Sequence, residues 1–258
     1  MFYIIAGVFC MLKNLRGRAW GNALLSVFIM LSACGVAFLN VYGQGSTKAG
    51  EGASGPIFTF ELPVIVIDAG HGGADSGAVG VNGMLEKDIN LKLATFLSRE
   101  FESAGYKVVM TRTDDVMLVD ADGVHSTKKS SDLTARAKIA GEGDIFISIH
   151  MNKFSEEKYK GAQVYYSVND PTSASLAEML QRGIAESLQS DNKRAIKSGD
   201  GLYLLDRVRC PAVIVECGFL SNWEEAARLM DEEYLKQMAF EIFSATDDFV
   251  IERMSTDT

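Results

Sequence analysis

The chain has 258 residues, enough for one sizeable domain with an extension, and a formal net charge of −9. Its first 40 residues carry three basic and no acidic side chains, so the remaining residues are more acidic still, at −12. A body this acidic is a poor nucleic-acid binder, because phosphates must be met by clustered Lys and Arg. It would also be repelled by anionic membrane or wall polymers unless a tether holds it there.

The first predicted element is a membrane anchor, which falls within residues 1–42. Residues 22–42 are almost wholly apolar and uncharged, a span close to the ~20 residues that a membrane helix needs. The basic residues Lys13, Arg16 and Arg18 precede it, which predicts that the later residues lie at the outer face of the cytoplasmic membrane. Two alternatives stay open: a lipoprotein signal acylated at Cys34, and a cleaved signal peptide.

After a glycine- and serine-rich stretch at 43–60, predicted to be a flexible linker, strands and helices alternate through residues 61–253. The predicted strands are 64–68, 106–112, 144–150, 162–168, 202–205 and 212–216. The predicted helices are 86–105, 132–140 with Asp132 as its cap, 172–189, and more than one helix within 222–250. This order predicts one α/β domain whose mostly parallel sheet is covered by helices on both faces. Cys210 and Cys217 flank the last strand, ~23 Å apart if it is extended, and are predicted to be free thiols.

Three predicted strands end in a side chain that can hold or serve a metal. His71 follows the first strand, His150 ends the third and Glu216 ends the last. Active sites of open α/β sheets gather at the carboxyl ends of their strands. The third histidine of the chain, His125, lies in a polar loop, where we expect it to be solvated.

The glycine-rich stretch GHGGADSG, which starts at Gly70, admits two interpretations, a phosphate loop or a metal site. It lacks the Lys-Ser/Thr of a P-loop and the spacing of a dinucleotide fingerprint, so the metal site is favoured. A catalytic zinc takes three protein ligands and leaves a fourth position for water. Glu86, at the start of the next helix, is the best third ligand, but Asp68 and Asp75 are also near and the spacing does not exclude them.

Five motifs in the same order, DAGHGGADSGAVG, EKDINL, TRTDD, ISIHMN and VECGFLSN, resemble those of the zinc-dependent N-acetylmuramoyl-L-alanine amidases, which cut peptidoglycan. The resemblance extends from Pro63 to Val250 and makes 61–253 the expected catalytic amidase domain. Within the family, the germination-specific spore-cortex amidases are the most similar, since they share the N-terminal anchor and a stretch like KRAIKSGDGLYLL.

The resemblance implies one Zn²⁺ per chain, bound by His71, Glu86 and His150, with Glu216 as the catalytic carboxylate. It also implies a six-stranded mixed sheet between helices. Gly141 stands where relatives often have Asn, which we expect to affect only the end of a helix.

The expected reaction is hydrolysis of the amide between N-acetylmuramic acid and L-alanine, with Asn152 and Arg136 as candidate substrate contacts. A spore role would prepare cortex for muramic-δ-lactam formation and germination, in the forespore envelope. An anchored hydrolase facing its own wall needs restraint, so an activating protein partner is a further expectation. The alternatives are a carboxypeptidase-like zinc hydrolase acting on peptidoglycan and a non-catalytic wall-binding regulator.

Overall fold

The computed structural model describes residues 61–256. The predicted anchor at 1–42 and the predicted linker at 43–60 lie outside the described residues. Among the helices that are described, none combines the length and the apolar character needed to cross a membrane.

The described residues form six strands and five helices. The strands are β1 (Ile65–Ala69), β2 (Val108–Met110), β3 (Ile145–Asn152), β4 (Gln163–Tyr166), β5 (Lys197–Ser198) and β6 (Ala212–Phe219). The helices are α1 (Glu86–Ser103), α2 (Lys128–Ala140), α3 (Ser173–Leu188), α4 (Trp223–Arg228) and α5 (Glu232–Thr256).

The strands form one mixed sheet in the order β2-β1-β3-β6-β4-β5, which confirms the expected six-stranded architecture. Strands β2, β1, β3 and β6 run parallel to one another. Strand β4 is antiparallel to β6, and β5 is parallel to β4. The four parallel strands therefore bring their carboxyl ends to one edge, and β4 begins at that same edge.

Helices cover both faces of the sheet, as the alternating pattern predicts. On one face α1, α3 and α5 enclose the larger core, to which β1, β3 and β6 contribute alternate residues such as Ile67, Ile149 and Val215. The other face carries α2 and a smaller core around Phe146 and Ile214. All of β1 and most of β3 are buried because both faces are covered.

Two helix starts depend on different chemistry. At α1 the first backbone N–H groups are taken by loop carbonyls: Glu86 N donates to Ala78 O at 2.9 Å and Lys87 N to Ser76 O at 3.2 Å. At α2, Thr127 forms a capping box with Ser130. The predicted cap at Asp132 is therefore wrong: Asp132 lies inside the helix and is buried, because its carboxylate binds an arginine one turn later.

Helix α2 ends at Ala140 with Gly141 as its C-cap, in agreement with the expectation for Gly141. Helix α1 stops before Gly105, which adopts a left-handed φ of 91° that suits a residue following a helix. Cys210 and Cys217 are free thiols; both were expected to be buried, and Cys217 is, whereas Cys210 is half-buried.

The predicted strand at 202–205 is wrong. This segment forms turns in which Asp206 N donates to Leu202 O and Val208 N to Leu204 O, and the fifth strand is Lys197–Ser198. Its apolar pattern has another cause, since Leu204 and Leu205 are buried in the smaller core. A turn that buries its side chains and a buried strand both appear in a sequence as a short apolar run, so the pattern does not distinguish them.

We expect Phe101→Ala to lower the free energy of unfolding by about 3–5 kcal/mol. Phe101 is fully buried and packs edge-on against Tyr106 and Phe243, at centroid distances of 5.3 and 5.2 Å. The control is Phe240→Ala on α5, which removes a ring that is 45% exposed and should cost less than about 1 kcal/mol. Urea unfolding of the full chain compares the two, and equal costs would contradict this packing.

Candidate metal centre

The turn after β1 places His71 in an unusual backbone conformation. His71 has a φ of 63°, and it is the one non-glycine residue with a positive φ in the described part of the chain. Glycines on either side permit close approaches: a Cβ on Gly70 would overlap the His150 ring, and one on Gly77 would lie 2.5 Å from Glu86 Oε2. The many glycines of the motif therefore leave room for the side chains of the site to come close together. They do not form a phosphate-binding loop.

Buried cationic and amide groups hold the carbonyl oxygens of this turn. Arg136 donates to Ala69 O at 2.8 Å and to His71 O at 2.5 Å, and Arg112 donates to Ala69 O at 2.8 Å and to Gly70 O at 3.0 Å. Asn90 also donates to Gly70 O, at 3.1 Å. Each of the three consecutive carbonyls thus accepts at least one hydrogen bond from these side chains, which fixes the direction in which the His71 side chain leaves the backbone.

Glu86 is oriented by the backbone on both sides. Its Oε2 accepts from Ala78 N at 2.8 Å and its Oε1 accepts from Met151 N at 3.1 Å. Glu86 is the first residue of α1, but its carboxylate does not cap that helix, because loop carbonyls accept the hydrogen bonds of the first backbone N–H groups. Glu86 therefore links the loop, helix α1 and the end of β3.

The structure brings His71, Glu86 and His150 together as one group of ligand atoms, all within 4.8 Å of each other. Glu86 Oε1 lies 3.2 Å from His71 Nε2 and 3.0 Å from His150 Nδ1. Ligands at about 2.1 Å from a tetrahedral zinc lie roughly 3.4 Å apart, so these separations fit such an ion. No other cluster of this kind occurs among residues 61–256.

The two alternative ligands are engaged elsewhere. Asp68 is fully buried and accepts hydrogen bonds from Thr111, Arg136 and Ser148 at 2.6–2.7 Å. Asp75 Oδ2 lies 2.9 Å from His71 Nδ1, on the side of the ring away from Glu86. A carboxylate behind a ligating histidine commonly orients the ring, although His71 Nδ1 and Asp75 do not meet the geometry of a hydrogen bond here.

The ionisable groups of the cluster strongly affect one another's pKa values. Burial alone would raise the pKa of Glu86, but hydrogen bonds from His150 and His71 outweigh it and hold that pKa far below its usual range. Burial would lower the pKa of His150, whereas the hydrogen bond to Glu86 raises it. For Asp75, interaction with His71 overcomes burial and lowers the pKa to about 2. The carboxylates are therefore ionised, as ligands of a cation must be.

Glu216 lies beside the cluster on the neighbouring strand, where it is the register partner of His150. Its Oε2 is buried and has no hydrogen-bond partner in the described residues. Burial raises the pKa of Glu216 to about 7, an effect that His150 partly opposes. An unpartnered buried carboxylate is costly unless a cation or a proton donor is near, which fits a metal centre with an incoming water.

The two predicted substrate contacts differ in their surroundings. Asn152 is half-buried at the end of β3, and its side chain forms no hydrogen bond within the described residues. Arg136 is only 1% exposed, and Asp68, Asp132 and two backbone carbonyls engage its guanidinium. The assignment of Arg136 as a substrate contact is therefore wrong, because its donors face the protein interior.

The surroundings of His125 and the roles of Arg112 and Asn90 differ from or add to what the sequence predicts. His125 is half-buried, and its Nε2 lies 2.7 Å from Oδ2 of the buried Asp120, so it is not the freely solvated histidine expected of a polar loop. Arg112 falls in the TRTDD motif directly after β2, the neighbour of β1, and that placement was the available signal for its role. Asn90 lies one helical turn after Glu86 and shares its face, a spacing that also indicated proximity to the site.

Comparisons with known proteins agree with this geometry. The family model described as N-acetylmuramoyl-L-alanine amidase matches residues 65–248. The germination-specific N-acetylmuramoyl-L-alanine amidase of Bacillus subtilis (strain 168) is 34% identical over 183 residues, covering 70% of this chain and 76% of the relative.

Solved structures give the same result. The CwlD amidase from Clostridioides difficile, determined in complex with the GerS lipoprotein, matches with a TM-score of 0.69 and 35% identity, over 73% of this chain and 98% of that one. The catalytic domain of CwlV, an N-acetylmuramoyl-L-alanine amidase from Bacillus (Paenibacillus) polymyxa var. colistinus, matches with a TM-score of 0.63 and 30% identity, at the same coverage. The chain therefore belongs to the N-acetylmuramoyl-L-alanine amidase family and is an amidase that acts on peptidoglycan.

Proposed function

We propose that this amidase depends on one zinc ion, held by His71, Glu86 and His150, and that Glu216 is its catalytic carboxylate. The observation that carries the proposal is the meeting of three ligand atoms within 4.8 Å beside an unpartnered carboxylate oxygen. Two imidazoles and a carboxylate are a donor set typical of catalytic zinc. The bond cleaved joins the lactyl carbonyl of N-acetylmuramic acid to the nitrogen of L-alanine.

Bound zinc supplies Lewis-acid polarisation of the muramoyl carbonyl and acidification of the attacking water. Glu216 accepts the proton of that water as its oxygen bonds to the carbonyl carbon. The same carboxyl group then donates the proton to the alanine nitrogen as the C–N bond breaks. Asn152, half-buried and with an uncommitted side chain, contacts the substrate beside the scissile bond.

The proposed setting is the spore cortex, where the enzyme acts before muramic-δ-lactam formation and supports germination. Similarity to the germination-specific amidase of Bacillus subtilis supports this setting. We further propose that residues 1–42 anchor the chain at the outer face of the cytoplasmic membrane, in the forespore envelope. The relative crystallised with a lipoprotein supports an activating protein partner for this chain as well.

The sequence leaves two other functions open. A carboxypeptidase-like zinc hydrolase would release a terminal amino acid and leave the muramic amide intact, and the family match favours the amidase. A non-catalytic wall-binding regulator predicts a degenerate metal set, whereas the three ligand residues and Glu216 are all present and adjacent.

Glu216→Gln should retain zinc and lose turnover by about 10²–10⁴-fold, because it removes the proton acceptor and leaves the three ligands in place. Metal analysis of the purified protein and muropeptide digestion measure the two effects. An active variant would remove Glu216 from the mechanism.

His71→Ala and His150→Ala should each lose stoichiometric zinc, since each removes one of three ligands. The matched control is His125→Ala, which replaces the remaining histidine of the chain and should leave one zinc per chain. Circular dichroism checks that the variants remain folded. Full zinc occupancy in a folded His150→Ala protein would contradict the ligand set.

Cortex from a strain lacking this protein should be depleted of muramic-δ-lactam, because the lactam can form only after the stem peptide has been removed. Mass spectrometry of cortex muropeptides provides the measurement. Lactam at wild-type levels would reject the spore role while leaving the amidase reaction untouched.

A further inference from the structure

A charged cavity of about 330 Å³ lies at the same edge of the sheet as the metal centre, where β6 ends and β4 begins. Five of its lining side chains are basic and three are acidic. Each acid already has partners: Asp191 pairs with Lys160, Glu224 with Arg228, and Glu225 accepts two backbone N–H groups. Lys158 pairs with Glu156, so Lys193 and Arg194 are the lining cations that have no ion pair among the described residues.

Arg194 is a half-buried cation of this cavity whose guanidinium is held by the protein. Its Nε donates to Lys160 O at 2.8 Å and its Nη1 to Gln163 Oε1 at 3.4 Å, while the guanidinium carbon lies 4.6 Å from the Phe219 ring centroid. Within the described part of the chain Arg194 forms no ion pair, and its Nη2 makes no hydrogen bond. A guanidinium held by stacking and by two fixed acceptors is pre-organised to bind a carboxylate.

Gln163 connects Arg194 to the catalytic carboxylate. Gln163 and Glu216 are directly opposed in the antiparallel pair of β4 and β6, so their side chains share one face about 5 Å apart. Across the sheet the order is thus His150, Glu216 and Gln163, with Arg194 bonded to the last. The cation lies on the side of Glu216 away from the metal ligands.

The direction of proton transfer places the stem peptide of the substrate on the side of Glu216 where Arg194 lies. Glu216 must come within hydrogen-bond reach of the leaving alanine nitrogen, so the peptide extends from the Glu216 side of the site. The residue after the alanine in a peptidoglycan stem peptide is a glutamyl residue, whose α-carboxylate is free unless it is amidated. Two extended residues span about 7 Å, which is the scale of the step from Glu216 across Gln163 to Arg194.

We propose that Arg194 binds this free carboxylate and makes the amidase selective for non-amidated stem peptides. The inference rests on the proposed function, because it takes Glu216 as the group that protonates the leaving nitrogen. It adds the chemical class of the peptide that the site accepts: an acidic peptide with its negative charge one residue beyond the cleaved alanine.

The test compares two substrates, N-acetylmuramoyl-L-alanyl-D-isoglutamate and its isoglutamine amide, with the zinc-loaded full chain. Wild type should favour the acid in kcat/KM. Arg194→Ala should lower kcat/KM for the acid at least tenfold and change the value for the amide less than threefold. Arg194→Lys should recover part of the preference. Arg182→Ala, an exposed arginine on α3, is the matched control and should change neither value.

The amide substrate distinguishes a failure of the proposed role of Arg194 from a failure of the proposed amidase reaction. Wild type that cleaves neither compound would reject the proposed reaction. Wild type that cleaves both, with an Arg194→Ala variant that slows both equally or slows neither, would overturn the role of Arg194 and leave the amidase reaction standing.

Competition distinguishes a peptide site from a general anion site. L-alanyl-D-isoglutamate should inhibit wild type more strongly than Arg194→Ala, and inorganic phosphate at the same concentration should inhibit neither. Equal, Arg194-dependent inhibition by phosphate would show a general anion site and reject selectivity for the peptide.

Discussion

The candidate metal centre depends on the hydrogen bonds that two buried guanidinium groups donate to the turn after β1. Arg136 reaches the turn because Asp68 and Asp132 hold it, and Asp68 is itself held by Thr111 and Ser148. Removing one member of a buried ion pair typically costs about 3–5 kcal/mol, since the other charge is left uncompensated. The left-handed conformation of His71 persists because this network determines the positions of the carbonyls around it.

The parallel and antiparallel parts of the sheet contribute different residues to the site. The parallel strands β1 and β3 end in His71 and His150, and Glu86 is tied to the end of β3 through Met151 N. Strand β6 then provides Glu216, and the reversed strand β4 presents its first residue, Gln163, at the same edge. Glu216 thus lies between His150, one of the candidate metal ligands, and Gln163, which binds Arg194.

The sequence was sufficient for the features that a repeating pattern or a strand end dictates. Alternation of strands and helices predicted the α/β class, and the three strand tips predicted His71, His150 and Glu216. The choice of Glu86 over Asp68 and Asp75 came from the resemblance, because all three carboxylates are close in sequence. The folded structure distinguishes the three carboxylates: Asp68 faces Arg136, and Asp75 lies behind the ring of His71.

The misassignments share one cause, which is that sequence patterns record residue type but not direction. Arg136 lies in a polar helix, where a guanidinium that faces inward to Asp68 cannot be told from one that faces a substrate. Leu204 and Leu205 fill a core from a turn, and His125 pairs with a buried aspartate from a polar loop. Arg136 and the two leucines depend on partners that are distant in the chain, whereas Asp120 is only five residues from His125 and the sequence does not show that this aspartate is buried.

The central position of β6 has a consequence for the order of folding. Because β6 lies between β3 and β4, the sheet closes only when the last strand in the sequence inserts between two strands that precede it in the chain. His71, Glu86 and His150 all lie ahead of β6, whereas Glu216 lies within it. A folding intermediate that lacks β6 could therefore bring the candidate ligands together, but it could not contain the complete constellation.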